Sequence, residues 1–458
     1  MPTQTPIRLQ APQRPRTRRA WAKSLGGDIL ALLIGLGVCY TFKVVGDIPL
    51  CELILIPSLV FLYAVNPDRL QLRKRRIGKI LILMLLWLFG QIATDFYRST
   101  GAHDWMRGDA NIVFFILDLI ALSILLKGNM RRQMILLFGF AMGGILSVKL
   151  QPGLYAGNEF KFGYAWPIMY LTSLSSCYFY KRGRYSIVGL LFMANIAVNV
   201  LSNFRSVTLS MFVTLALILP VIPERIGRLR ILPAAKTQAR VFVLMGITLV
   251  AGALAGEVMT GLAASGALGQ AAQEKNRQQT MAGWGILIGG RPEILVSSRA
   301  VMDSPILGHG SWAKDPKYSE MLMQIQSEYG MNQSDEGQKF EGVIPSHSHL
   351  MNAWVNAGIL GAVFWFYILV STMKSLIRIT ILRPPVTPVY AFLMTAFVWD
   401  ILFSPFGGNR RIYESLWLVI ICDLLDPDSA VRKEAGRVFQ RIPTLTIHRR
   451  NLGKVPIR

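Results

Sequence analysis

Pro345–Val370, PSHSHLMNAWVNAGILGAVFWFYILV, passes from a polar stretch with two histidines into an uncharged apolar run. At 1.5 Å of rise per residue, a helix from Leu350 to Val370 covers the roughly 30 Å hydrocarbon core of a bilayer. The pattern predicts a transmembrane helix with His347 and His349 at one end. His349, Asn352 and Asn356 recur at i, i+3 and i+7 and share a face. Ala357/Gly361 and Gly358/Ala362 are small-residue pairs at the spacing that lets a second helix approach closely.

Outward from this segment, similar runs recur. The chain has 458 residues, 52% of them hydrophobic, and a mean hydropathy of +0.40, too apolar for an ordinary soluble domain. The expected fold is an all-α polytopic membrane protein. Its twelve spans are expected at about 27–43, 48–65, 79–95, 110–126, 133–149, 162–180, 185–203, 206–222, 241–260, 350–370, 386–403 and 412–425. The net charge of +23 raises nucleic acid as a partner, but its distribution has a simpler source. With MPTQTPIRLQAPQRPRTRRAWAK placed in the cytoplasm, 34 of the 49 Lys and Arg fall on cytoplasmic segments, the positive-inside bias. Nucleic-acid binding is not required.

The expected organisation is a basic cytoplasmic tail (1–26), spans one to nine (27–261), a periplasmic loop domain (262–346), spans ten to twelve (347–425) and a second basic cytoplasmic tail (426–458). The N-terminal apolar run continues into a multi-span body without a small-residue cleavage site, so the tail is expected to be retained. Cys39, Cys51, Cys177 and Cys422 lie in or beside spans, and no disulfide framework is expected.

Several polar residues stand out against this background. Asp118 lies inside an apolar run, where an acid serves either as a proton or ion site or as a neutral or hydrogen-bonded interhelical group. Lys149 and Lys161 flank a Gly-, Pro- and Asn-containing loop and are either head-group contacts or solvated charges. Arg205 sits in a tight hairpin between spans seven and eight. Its planar donor fork suits phosphate, and a snorkelling helix-end anchor is the alternative. In the long loop, helices are expected after Arg291, with Pro292 in the first turn, and over PKYSEMLMQIQSEYG, closed by Gly330. His309 and Trp312 either line a groove or pack their turn. Arg410 and Arg411 fall between the last two spans, where Asp400 and Glu414 are available to pair with them. The DxD at Asp426 and Asp428 directly follows the last span and reads as a turn or cap. His347 and His349 lack a third ligand at metal-site spacing, so no metal is expected. A single histidine that titrates near neutrality suits general-base work better.

His347-Ser348, nine residues, then Gly358-Ile-Leu-Gly361 resembles the H[NSQ]-x9-G-x-x-G signature of the O-antigen ligase and O-antigen polymerase superfamily, bacterial glycosyltransferases of lipid-linked polysaccharides. NFRS around Arg205 resembles its hairpin arginine motif, with Phe204 in place of the usual small residue. GGRPEILVSSRAVMDSPILGHGSW resembles its R-x-x-x-[WL] and xPLLGxG segment, with Arg291 at the second functional arginine and Leu295 where Trp is frequent. The resemblance covers mainly residues 200–365.

It implies a GT-C-like, metal-independent and cofactor-free inverting enzyme of the bacterial inner membrane, with its site facing the periplasm. The donor would be a glycan on undecaprenyl diphosphate and the acceptor lipid A-core or another lipid-linked glycan. His347 would act as base, with Arg205 and Arg291 on the diphosphate. His349, Asn352, Lys161, Arg299, His309, Arg410 and Arg411 are the further substrate-binding candidates. A ligase is the first expectation and an O-antigen or exopolysaccharide polymerase the alternative, with a protein-glycosylating relative as a third. A flippase or transporter is the reading from another class, and no repeat between the two halves of the chain speaks for it.

Overall fold

Long apolar runs must satisfy their backbone polar groups internally when water is excluded, and this chain does so almost entirely with helices. A computed structural model describes residues 18–44, 46–65, 76–155, 158–202, 204–218, 291–328 and 342–427, with isolated positions between 257 and 277 and at 429 and 431. Nearly all of the expected span 241–260, the basic stretch 223–240, Gly330, Asp428 and most of both tails lie outside the described residues.

The first part of the chain comprises α1 (Arg18–Leu36), a hairpin of β1 (Thr41–Val44) and β2 (Gly46–Pro49), α2 (Leu50–Val65), α3 (Arg76–Arg98), α4 (Ala102–Leu126) and α5 (Met130–Leu150). There follow α6 (Ala165–Lys181), entered through a π-helical turn at Phe160–Tyr164, then α7 (Tyr185–Leu201) and α8 (Arg205–Ile218). After these come α9 (Glu293–Asp303), α10 (Pro316–Glu328), α11 (His349–Leu382), α12 (Thr387–Phe403) and α13 (Arg410–Leu425). Among the described residues, α3, α4, α5 and α11 are long and apolar enough to cross a membrane, and shorter apolar helices accompany them. The chain is therefore an α-helical membrane protein, with a small antiparallel hairpin, Thr41 opposite Pro49, where the ends of the first two spans and the short connection between them were expected.

Packing is closest where side chains are absent. A Cβ on Gly35 of α1 would lie 2.7 Å from the Gly139 Cα of α5, so these two backbones meet almost directly. α12 and α13 are buried along most of their length, and the charged groups that α13 buries, Arg411, Glu414 and Asp423, are each held by polar partners. An aromatic cluster of Trp87, Phe115, Phe364, Trp365 and Phe406 fills the space between α3, α4 and α11. At one end of the bundle, Asp423 accepts from the Gly128 N–H at 2.9 Å and from Gln133 at 2.7 Å. There Asp426 accepts from the Arg76 N–H and lies 3.0 Å from Lys127. The first DxD acid is thus a structural cap, as its position suggested.

The other end carries the cap formed by α9 and α10. Val296, Ala300, Val301, Tyr318, Leu322 and Ile344 form a small core with Val355 of α11. Here the expectation of one uninterrupted helix needs correction. α11 breaks at Gly358, whose φ of 63° and ψ of −151° are open in practice to glycine alone. The turn Pro305–Gly310 fills the gap: the N–H groups of His309 and Gly310 donate to the carbonyls of Val355 and Asn356, and the Ile359 N–H donates to Ile306. A Cβ on Gly358 would stand 1.9 Å from the Ile306 oxygen. A second helix does come close at the small-residue pairs, since a Cβ on Gly90 of α3 would lie 3.1 Å from the Ala357 carbonyl, but the two signature glycines have other roles. Gly358 admits loop backbone, and Gly361 lies beneath the Ala353 carbonyl of its own helix across the break.

Candidate functional site

α3 fixes the inserted turn from the opposite side. Asp95 accepts from the Ser311 N–H at 2.6 Å and from its hydroxyl at 2.5 Å, and Gln91 donates to the same hydroxyl at 2.7 Å. Arg98 donates to the Gly308 carbonyl and to Ser304, and Thr94 bonds the Leu307 carbonyl. Trp312, held at a φ of 52°, lies against the Arg107 guanidinium at 3.5 Å. None of these α3 contacts was foreseen. Their only trace in the sequence is the polar row Gln91, Thr94, Asp95 and Arg98 at helical spacing on an otherwise apolar helix.

The segment running out of the cap, tied to it by a single bridge between Lys314 and Val343, then leads to His347. The Ile344 N–H donates to Ala313, and Ser346 accepts from Asn352 at 2.8 Å. Ser348 caps α11 by accepting from the Met351 N–H, while its hydroxyl donates to the Ile401 carbonyl at 2.9 Å. Between these fixed serines lies His347. Its Nδ1 is buried and has no hydrogen-bond partner among the described residues. Burial, then the charges of Arg291 and Arg410, push its pKa from the ordinary 6.5 down to about 4. It is therefore neutral at pH 7, with an unengaged ring nitrogen.

Arg291 comes from the residue before Pro292, at the start of α9, and among the described residues no carboxylate pairs with it. Arg410 is the first residue of α13 and pairs with Asp400 at 2.7 Å, as the sequence suggested. Arg205 begins α8, and its Nη2 donates to Asn276 at 2.9 Å. A chain of contacts ties it to the same end of the bundle. Phe204 carries Lys161 over its ring, the segment containing Lys161 follows α5, and Gln151 after α5 bonds Thr41, which bonds Asn409 beside Arg410.

Other candidates are committed to the fold. His349, two residues from His347, is fully buried. Its Nδ1 donates to the Ser404 carbonyl and its Nε2 is hydrogen-bonded to Glu414, both at 2.6 Å, with Trp365 and Phe406 against the ring. Glu414 is thus paired with His349 and not with an arginine. Arg411 is equally internal, bidentate on Glu52 at 2.8 and 2.9 Å and bonded to Asn111 and the Asp47 carbonyl. His309 Nε2 meets the Ala300 carbonyl at 2.8 Å, which packs its turn. Arg299 pairs with Asp303 at 3.2 Å on the cap surface. Asn352 holds Ser346 and accepts from Asn356.

The chain matches no family model and no curated protein.

What the arrangement offers chemically is compact. Two guanidinium groups that cannot be neutralised favour a phosphate-type anion. A half-buried neutral imidazole near them can take a proton from a hydroxyl held there.

Proposed function

We propose that this chain is an O-antigen ligase-like glycosyltransferase. It would move a polysaccharide from undecaprenyl diphosphate to an acceptor hydroxyl, with lipid A-core as the first choice of acceptor. The observation that carries the reading is His347, neutral and unengaged at Nδ1, beside Arg291 and Arg410. In the proposed reaction the acceptor oxygen attacks the anomeric carbon and its proton passes to His347. The bond from that carbon to the diphosphate breaks, and the departing charge is held by Arg291 and Arg410, with Arg205 on the same end of the bundle as the further cation. No metal or cofactor is needed in this scheme. The resemblance of the HS-x9-GILG segment supplies the substrate class, and inversion at the anomeric centre comes from the same source.

The layout that goes with this reading is twelve spans in the bacterial inner membrane, both termini cytoplasmic, and the α9–α10 cap in the periplasm. The positive charges near Arg76, Lys127, Lys181 and Arg383 support that orientation. A polymerase using a lipid-linked repeat as acceptor has the same site and differs only in what occupies the acceptor side. Transport is less well supported. The break at Gly358 comes ten residues into α11 and is filled by loop backbone, so it offers no open site at the middle of the bundle.

The deciding experiment mixes purified protein with lipid-linked glycan and lipid A-core in detergent. Formation of the new glycosidic bond supports the reading, and a drop of about 100-fold or more is expected for His347→Ala and for Arg291→Ala. A wild-type protein that joins neither lipid A-core nor a second lipid-linked repeat to the donor glycan would refute it. Lipopolysaccharide from a deletion strain separates the two reactions: unattached glycan indicates a ligase, and single-repeat caps indicate a polymerase.

A further inference from the structure

We infer that the end of α9 and the turn after it, residues 302–307, are embedded in the bilayer and meet lipid acyl chains in the leaflet on the cap side. The cap is then anchored within the membrane and does not stand clear of it. The inference does not depend on the transferase reading.

Two helices measure the depth of this turn. The Leu307 carbonyl accepts from the Thr94 hydroxyl of α3, and the Ile306 carbonyl accepts from the Ile359 N–H of α11 at 3.0 Å. Thr94 lies fifteen residues along α3 from Lys79, and Ile359 lies fifteen residues along α11 from Lys374. Each lysine is the first charge met on its helix in the direction away from the cap. At the rise of an α-helix both distances are about 22 Å. The hydrocarbon core is roughly 30 Å thick. With the lysines at its far edge, both helices place the turn inside the core.

What the turn presents to its surroundings suits lipid. Ile306 is 71% exposed and Met302 65%. Through its bond to Ile359, Ile306 prolongs the exposed apolar stripe Ile359, Val363 and Phe366 of α11, and α3 exposes Phe96 two residues beyond the Thr94 contact. Both helices are long and apolar enough to cross a membrane, so the patch is continuous with a surface that lipid covers. The backbone gives a second, independent sign. An exposed turn in water can leave its carbonyls to the solvent, but here four in a row have protein donors. Pro305 accepts from the Trp354 Nε1 at 2.9 Å, Ile306 from Ile359, Leu307 from Thr94, and Gly308 from Arg98 at 2.9 Å. Internal pairing of this kind is what non-helical backbone needs at membrane depth. The neighbouring charge is drawn the other way: Asp303, next to Met302, is held toward α10 by Lys317 at 2.7 Å and by the Tyr318 hydroxyl at 2.8 Å.

Photo-crosslinking of the full-length wild-type chain tests this without any substitution. The protein is reconstituted in vesicles of phosphatidylethanolamine and phosphatidylglycerol, a fraction of which carries a diazirine midway along one acyl chain, and the adducts are mapped by peptide mass spectrometry. Residues 302–307 are expected to carry acyl adducts at a yield comparable with that of residues 359–366 and at least about tenfold above that of α10, which lies on the water side of the cap. Adducts on 359–366 with none on 302–307 overturn the inference, and mean that water, a second copy or another protein covers the patch. Equal labelling of α10 overturns it as well, because the crosslinking then ignores depth. Neither result bears on whether the chain forms a glycosidic bond, so this inference and the transferase reading fail separately.

Discussion

His347 and His349 stand on either side of the serine that caps α11, and that single residue separates their fates. Before the cap His347 lies where the charges of Arg291 and Arg410 are felt. After it, His349 opens the helix and its ring turns inward to Glu414 and Ser404. Removing one partner of a buried hydrogen-bonded pair leaves the other polar group unsatisfied and commonly costs about 1–3 kcal/mol. His349→Ala should accordingly lower the thermal midpoint and the yield of folded protein in detergent, while His347→Ala should leave both nearly unchanged. pH adds a second check. Because the folded pKa of His347, about 4, lies below its ordinary 6.5, the unfolded chain binds more protons between those values. This contribution to stability is complete above pH 6.5 and is lost as the pH falls toward 4. Thermal melts of His347→Asn across that window should show a shallower acid decline than wild type. The repeated Ser-His pattern of the sequence could not distinguish the two residues. The family spacing chose His347, and nothing in the local composition revealed that His349 would meet an acid 65 positions along the chain.

Among the elements, α11 shows how a correct span can hide an incorrect shape. The apolar run and its polar start were legible, because burying uncharged residues is what a lipid environment selects. The break was not legible, since a glycine that admits a loop and one that admits a helix look the same in sequence. Gly358→Ala would place a methyl group against the Ile306 carbonyl in a backbone region that alanine avoids. A loss of roughly 3 kcal/mol or more is expected, seen as a lower melting temperature. Gly26→Ala is the control: nothing lies within 4 Å of its new Cβ, so it should be neutral or slightly stabilising. The turn's other attachment can be tested separately. Asp95→Ala removes two bonds to Ser311 and should speed proteolysis between α9 and α10 without unfolding α3. The cap helices themselves were readable from Pro292 and from the amphipathic PKYSEMLMQIQSE, because capping and periodicity are local signals.

Taken as a whole, the molecule relies on a few buried ionic contacts to align helices that lipid alone would leave free to slide. Glu52 of α2, Asn111 of α4 and Arg411 of α13 form one such contact, and Asp118 lies beside Glu52, so two carboxyls face one guanidinium. The sequence marked Asp118 as costly but could not name its neighbours, which come from helices far apart in the chain. Arg411→Leu should be strongly destabilising because it strands Glu52, whereas Arg411→Leu combined with Glu52→Leu should recover much of the loss. Asp118→Asn should be tolerated, since it removes the surplus acid; melting curves in detergent check all three. The broken α11 has a practical consequence. Because the turn at 305–310 completes the hydrogen bonding of a membrane helix, the cap is not a detachable module. Exchanging the outer segment of this bundle for another would have to carry residues 349–361 along with it. A chimera joined at the apparent loop boundary should misassemble, however similar the two bundles are.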